Sequence, residues 1–360
     1  MILNVKTKTK KTSVVTRFSQ LKTSPLYAAL DLGTNNCRLL IASPCVPGHF
    51  QVVDTFSRIV RLGEGLGNSG YLNPQAMDRA IEALKICRLK LEKNYVKCSR
   101  LITTEACRSA ENGQYFIQRV LDETGLELEI INREMEARFS VLGCSALVEP
   151  SAEAIVLFDI GGGSSEIVLL DVSQKCSLYL TEKITAWTSL PIGVVTLAER
   201  FGGQNVSLDD FENMKNYVRA LLNNFSDRYK LEVLVQSSRF YLLGTSGIIT
   251  TLAGVYLNLK HYNRKKIDGL WMKSTDITLL TKRLLSWDIK KRAKNPCIGR
   301  ARADLILAGC AILEVILETW PCQRLRVADR GVKEGIVIEL MLHDGVWNSY
   351  KRDISSAGSD

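Results

Sequence analysis

The apolar and polar positions of this chain alternate between short all-apolar runs and longer stretches of helical period. Residues 156–170 read VLFDIGGGSSEIVLL: an apolar run, an aspartate, three glycines, two serines, a glutamate and a second apolar run. This pattern predicts two buried strands joined by a glycine turn. Residues 27–41, YAALDLGTNNCRLLI, repeat it. Aligning Asp31 with Asp159 puts Gly33 on Gly161, Asn35 and Asn36 on Gly163 and Ser164, and Arg38 on Glu166. The repeat predicts two related lobes facing each other across a cleft.

In chain order, strands are expected over 26–30, 39–42 and 50–56, then a loop over 57–70 with Arg58 and Arg61 at its entry. Asn73 and Pro74 form an N-cap and first-turn pair for a helix carrying Ala76, Ala80, Ile81, Leu84, Cys87 and Leu91 on one face. A strand over 101–103 runs into TEACRSAENG, where a helix begins and leaves Thr104 and Arg108 near the strand's carboxyl end. Helix continues over 116–121, Thr124 and Gly125 turn, and 128–131 is strand again. Residues 132–144 start a helix crowded with Arg133, Glu134, Glu136 and Arg138, and 149–151 link to the second lobe. Beyond its hairpin, Pro191 and Gly193 form a loop feeding a helix, and 207–224 is helical. YLLGTSG over 241–247 is a strand entering another glycine turn before a small-residue helix. Helix over 300–319, strand over 325–328 and helix over 332–342 close an α/β pattern, and the chain from 346 reads as frayed.

The net charge of +9 alters this picture little once it is located. Lys6, Lys8, Lys10, Lys11, Arg17 and Lys22 precede the first acid, Asp31, so +3 is left for the body. Residues 1–24 therefore read as a solvated basic arm and nucleic acid is not indicated, while an anionic substrate is compatible. No apolar run reaches the roughly 18 residues of a membrane span and no secretory signal opens the chain, so a cytoplasmic protein is expected. The ten cysteines show no CxxC pair, which fits a reduced compartment and argues against zinc. The histidines, His49, His261 and His343, lie outside the glycine-rich and carboxylate-rich stretches. Acid–base work thus falls to carboxylates.

The doubled turn has a chemical reading. Backbone amides of a glycine turn, with a carboxylate at its mouth, bind phosphate, and the GTSG turn ahead of a helix N-terminus is an anion site by the same physics. Asp31 and Asp159 would face each other as a pair suited to a hydrated Mg2+. Each aspartate alternatively braces its own turn. Glu136, just upstream of the second turn, is within reach of the cleft, although acids in a first helical turn also serve the macrodipole.

DLGTNNCRLLIA, TEACRSAENG, MEARFSVLG, FDIGGGSSEIVLL, GTSGIITTLAG and RVADRGVKEGI, in this order and spacing, resemble the exopolyphosphatase and guanosine pentaphosphatase (Ppx/GppA) family. The resemblance runs over residues 27–342 and implies two duplicated domains of the actin-like ATPase (ribonuclease H-like) type around an interdomain cleft. The first lobe would span 25–150, completed by a C-terminal helix over 332–345, the second 151–331, with a tail over 346–360. It implies a catalytic Glu136 that polarises water and an Arg108 that clamps phosphate. Asp159 and Glu166, with Asp31, would hold Mg2+. Phosphate-binding positions fall on Gly33, Thr34, Asn35, Asn36 and Arg38, on Gly161, Gly162, Gly163, Ser164 and Ser165, and on Gly244, Thr245, Ser246 and Gly247. The implied reaction releases terminal phosphate from polyphosphate or guanosine pentaphosphate.

The chain departs from the family pattern at Asn132 and Arg133, where many members have Ser-Gly, and at Met135, which replaces an acid. It ends after the two-lobe core, without the helical extension of longer members, an expectation against processive handling of long polymers. A kinase on the same scaffold and a guanosine-alarmone binding module are the competing readings, and a homodimer is left open.

Overall fold

The computed structural model describes residues 24–174 and 180–348. Nearly all of the basic arm, and the tail from 349, lie outside the described residues. Strand β1 (Tyr27–Leu32) pairs antiparallel with β2 (Asn36–Pro44), and β2 with β3 (Phe50–Ile59). On its other side β1 runs parallel to β4 (Cys98–Thr103), and β4 to β5 (Glu129–Ile130). In the second sheet β6 (Ala154–Ile160), β7 (Ser165–Asp171) and β8 (Ile184–Leu190) form the same antiparallel run. Strands β9 (Phe240–Thr245) and β11 (Arg324–Ala328) continue it in parallel, and β10 (Trp271–Lys273) adds an antiparallel edge. The orders β3-β2-β1-β4-β5 and β8-β7-β6-β9-β11 are one plan used twice, as the doubled hairpin predicts.

Strand β1 is buried on both faces because helices cover both, the usual condition for the parallel part of a sheet. With period 2, Ala28, Leu30 and Leu32 face the helix Pro74–Lys93 through Met77, Ala80, Ile81 and Leu84. Tyr27 and Ala29 face the C-terminal helix Val332–His343 through Ile336, Val337 and Met341. Asn73 caps the first of these helices by accepting from Gln75 N at 2.9 Å, and Pro74 occupies its first turn.

The helix Arg133–Cys144 lies between the lobes. Phe139 joins the first-lobe core, while Ala137, Val141 and Cys144 pack on Ile155, Leu157 and Val168 of the second sheet. Two glycines let it touch the C-terminal helix backbone to backbone. A Cβ at Gly335 would lie 2.0 Å from Phe139 O, and one at Gly143 would lie 2.0 Å from Gly331 O.

Several boundaries differ from expectation. Strand β3 continues to Ile59 because β2 keeps pairing with it, so Ser57 and Arg58 are strand residues rather than loop. Strand β8 is an added element; as a half-exposed edge it has no continuous apolar run to announce it. The last long helix of the second lobe starts at Ile306, not at 300, because the chain first turns through Gly299 with φ +68°. Trp347 is buried and donates from Nε1 to Cys45 O at 2.9 Å, which pins the chain just past the point expected to fray.

Candidate active site

Both hairpins close with the same bond: Gly33 N donates to Asn36 O and Gly161 N to Ser164 O, each at 2.9 Å. Strand register sets Asp31 opposite Arg38 and Asp159 opposite Glu166. The two turns meet tip to tip. A Cβ at Gly162 would lie 2.9 Å from Thr34 Cβ, and one at Gly163 would lie 2.9 Å from Thr34 Oγ1, so only glycine permits this approach. The third turn ends at Ser246, whose φ of 124° is unusual for a residue with a side chain. Its hydroxyl caps the helix Gly247–Tyr256 by accepting from Ile248 N at 3.2 Å.

A cavity of about 80 Å³ lies among these turns. All of the expected site residues line it except Arg108, Ser165, Gly244 and Thr245. Ser165 points into the second lobe and donates to Ile192 O at 2.7 Å. Gly244 sits inside β9 beneath the ring of Phe158, where a Cβ would come within 2.6 Å, so its small size serves packing. Thr245 spends its hydroxyl on Arg330 O and faces a neighbouring chamber.

Arg108 is not free to clamp a phosphate in this arrangement. Its Nη2 donates to Glu105 Oε2 at 2.6 Å and Glu136 Oε2 at 3.1 Å, and its Nη1 to Ile131 O at 2.7 Å. Arg133, one of the departures from the family pattern, braces the same Glu105 at 3.0 Å. Glu105 helps to hold Arg108 still as its i,i+3 neighbour on the helix Glu105–Ser109. Asn132 caps the Glu136 helix by accepting from Met135 N at 2.8 Å, and Glu136 lies in its first turn, turned inward and buried.

Four carboxylates therefore share a desolvated space: Asp31, Glu136, Asp159 and Glu166. Burial pushes Asp159 up to about 6, with the charge of Asp31 adding to it and Arg38 opposing. Burial and the neighbouring Asp159 push Glu166 up to about 7, against hydrogen bonds from Ser164 and Ser189. Glu136 is also raised, first by burial and then by Glu166, while Arg108 pulls it back. Asp31 is raised by burial and lowered by Arg38. Such raised acids in one cleft are the signature of a functional site.

The profile of the Ppx/GppA phosphatase family matches residues 41–344. The chain belongs to this family. Exopolyphosphatase 2 of Mycobacterium tuberculosis is similar at 28% identity over 326 residues, covering 87% of this chain and 98% of that protein. The bifunctional 3-dehydroquinate synthase/phosphatase of Fusobacterium nucleatum is 29% identical over 352 residues, 93% of this chain, and the chain spans 49% of its length. Among solved structures, the Aquifex aeolicus Ppx/GppA family member has a TM-score of 0.71 at 26% identity, over 89% of this chain and 98% of that one. An exopolyphosphatase from Cytophaga hutchinsonii has a TM-score of 0.77 at 25% identity, over 89% and 98%. The Ppx/GppA fold, two actin-like α/β lobes, is thus the fold of this chain.

In this Ppx/GppA member the cavity also includes Thr104, which the sequence places at a ligand-gathering strand end, and Arg302, which the motif reading did not place there. Thr104 follows β4 at the strand end where such sheets gather ligands. Arg302 was hidden because its segment reads as helix. Among the described residues, no helix is long and apolar enough to cross a membrane.

Proposed function

We propose that this Ppx/GppA phosphatase is a phosphohydrolase that releases the terminal phosphate of inorganic polyphosphate, and the 5′-phosphate of guanosine pentaphosphate, by in-line attack of water. The observation that carries the reading is Glu136: a buried carboxylate on a helix fixed between the lobes, facing two glycine turns that meet tip to tip. Phosphoryl transfer requires positioning and charge neutralisation more than covalent chemistry. Amides of the turns at Gly33–Asn36 and Gly161–Ser164 would bind phosphoryl oxygens. Arg38 would add charge, and the Glu136 carboxylate would take the proton of the attacking water. Arg108 would act as a positioning residue, since its ion pair keeps Glu136 oriented and favours its ionised form.

The donor set fits a divalent cation of the Mg2+ kind. Asp31, Asp159 and Glu166 are desolvated and raised, and Asn35 Oδ1 is buried without a partner. Among the described residues no three His, Cys, Asp or Glu side chains form a ready cage. Mg2+ suits that combination, because it keeps several waters and takes one or two carboxylates plus phosphate oxygens. Held by Asp31 and Asp159, with Glu166 behind, it would supply charge neutralisation to the phosphoryl oxygens. The relatives named as exopolyphosphatases support polyphosphate as the substrate class. A cytoplasmic setting, and a role in the stringent response through the guanosine substrate, belong to the same proposal.

The test is phosphate release from tripolyphosphate, longer polyphosphates and guanosine pentaphosphate, side by side with Mg2+ and with chelator. Release that depends on the metal and needs no acceptor other than water is expected. Transfer of phosphate to ADP in place of water, or tight guanosine tetraphosphate binding with no release from any donor, would overturn the reading.

A further inference from the structure

Arg133 stands where a cation is least expected. It is the first residue of the helix Arg133–Cys144, directly after the capping Asn132, and the amide end of a helix favours anions. It is also a position at which the chain departs from the family pattern, where many members have glycine. Its partner accounts for the placement. The Arg133 guanidinium reaches Glu105 on the helix Glu105–Ser109 as a fork, Nη2 donating to Oε1 at 3.0 Å and Nε to Oε2 at 3.3 Å. The Arg133 side chain is 42% exposed and that of Glu105 9%, so the pair runs from the surface into the protein. Burial raises the Glu105 carboxyl, and the hydrogen bond from Arg133, followed by those from Ser109 and Arg108, brings it below its ordinary range.

The fork governs how Arg108 is shared. Glu105 offers Arg108 only Oε2, which takes Nε at 3.0 Å and Nη2 at 2.6 Å. Its Oε1 is filled by Arg133 and by the Ser109 hydroxyl, which donates at 2.5 Å. Arg108 Nη2 therefore serves two carboxylates at once, with Glu136 Oε2 as the longer contact at 3.1 Å. Without Arg133, Glu105 loses the charged donor on Oε1 and is free to meet Arg108 through both oxygens, the geometry a guanidinium prefers. That turn draws Nη2 off Glu136.

We propose that Arg133 is a positioning residue for hydrolysis: by holding both oxygens of Glu105 it keeps Arg108 bridged to Glu136, and so keeps the base carboxylate aimed into the cleft. Among the described residues that line the cavity, neither Arg133 nor Glu105 is present, so the effect passes through Arg108 and not through the substrate. The inference rests on the phosphohydrolase reading, in which Glu136 is the base. It makes Arg133, Glu105, Arg108 and Glu136 one unit whose outermost member lies at the surface.

Phosphate release from tripolyphosphate with Mg2+ is measured for wild type, Arg133→Ala, Arg133→Lys and Arg108→Gln, and for Arg133→Ala combined with Arg108→Gln, with the melting temperature recorded for each. Arg133→Ala is expected to lower kcat about ten- to a hundredfold, the cost of a small misplacement of a reacting group, with KM changed less than about threefold. Arg133→Lys keeps the charge but not the fork and should lie between Ala and wild type. In Arg108→Gln protein, Arg133→Ala should cost less than about threefold more, because residues that act through one contact do not add. A kcat loss under about threefold in folded Arg133→Ala protein overturns the inference, as does a loss that persists in full in the Arg108→Gln background. A change confined to KM that fades in about 0.5 M salt is a long-range charge effect and also overturns it. The two claims fail separately. If wild type releases no phosphate, hydrolysis is rejected and the crystal structure of Arg133→Ala protein tests the shared grip. Arg108 withdrawn from Glu136 onto both oxygens of Glu105 supports it, whereas an unmoved Arg108–Glu136 pair overturns it.

Discussion

At the scale of single residues, the account turns on how Arg108 treats Glu136. A phosphate clamp and a positioning residue predict different kinetics. With Arg108 tied to Glu105, Ile131 O and Glu136, Arg108→Gln removes the charge that pulls the Glu136 carboxyl down. The acid limb of the pH–rate profile should move to higher pH, with activity recovering as pH rises; a raised KM with an unmoved limb would restore the clamp. The other carboxylates make a stability prediction. Asp159 at about 6 and Glu166 at about 7 lie above their ordinary values of 3.8 and 4.5, so folding favours their protonated forms. That stabilisation is complete below the ordinary values and is lost as pH rises through about 6 to 7. Metal-free protein should therefore melt lower at about pH 8 than at about pH 5.5, and Mg2+ should raise the melting temperature more at the higher pH. A metal effect that is equal at both pH values would count against a cation among these groups.

At the scale of elements, the doubled hairpin was legible because an aspartate and glycine between two apolar runs leave little else to build. Matching turn bonds at Gly33 and Gly161 show how closely the copies agree. Glu136 was legible through its helix start, but its inward aim depends on the crossing of two helices, which no local pattern encodes. That crossing is testable. Gly335→Ala drives a methyl against Phe139 O and should cost about 1–3 kcal/mol or more in denaturant melts, with activity falling further than stability because Glu136 moves with its helix. Unchanged activity would mean that the helix position tolerates more play than the packing suggests. What stayed hidden were residues whose meaning is tertiary. Gly244 reads as part of a phosphate turn and is instead a packing surface for Phe158. Arg302 reads as helix and is instead a turn residue in the cleft. Strand β8 is masked by its half-exposed edge position.

At the scale of the whole molecule, the two lobes touch across the cleft, where Thr34 rests against Gly162 and Gly163. Parting them strains a latch at the rim, where Arg61, held at φ 49°, donates twice to Asp304 at 3.0 Å, and Gly65 N donates to Glu199 Oε1 at 2.8 Å. Asp304→Ala should leave the folded core intact but enlarge the ligand-free radius of gyration in solution scattering, with tripolyphosphate and Mg2+ drawing it back. Identical scattering curves for parent and variant would show that the latch does not govern closure.

The most direct measurement of the central claim is phosphate release from tripolyphosphate by wild-type and Glu136→Gln protein at one Mg2+ concentration, with melting temperature and tripolyphosphate affinity recorded for both. The account predicts a rate loss of about 10²- to 10⁴-fold, the usual worth of a general base, with fold and binding retained. A Gln variant that turns over within a few-fold of wild type would contradict it.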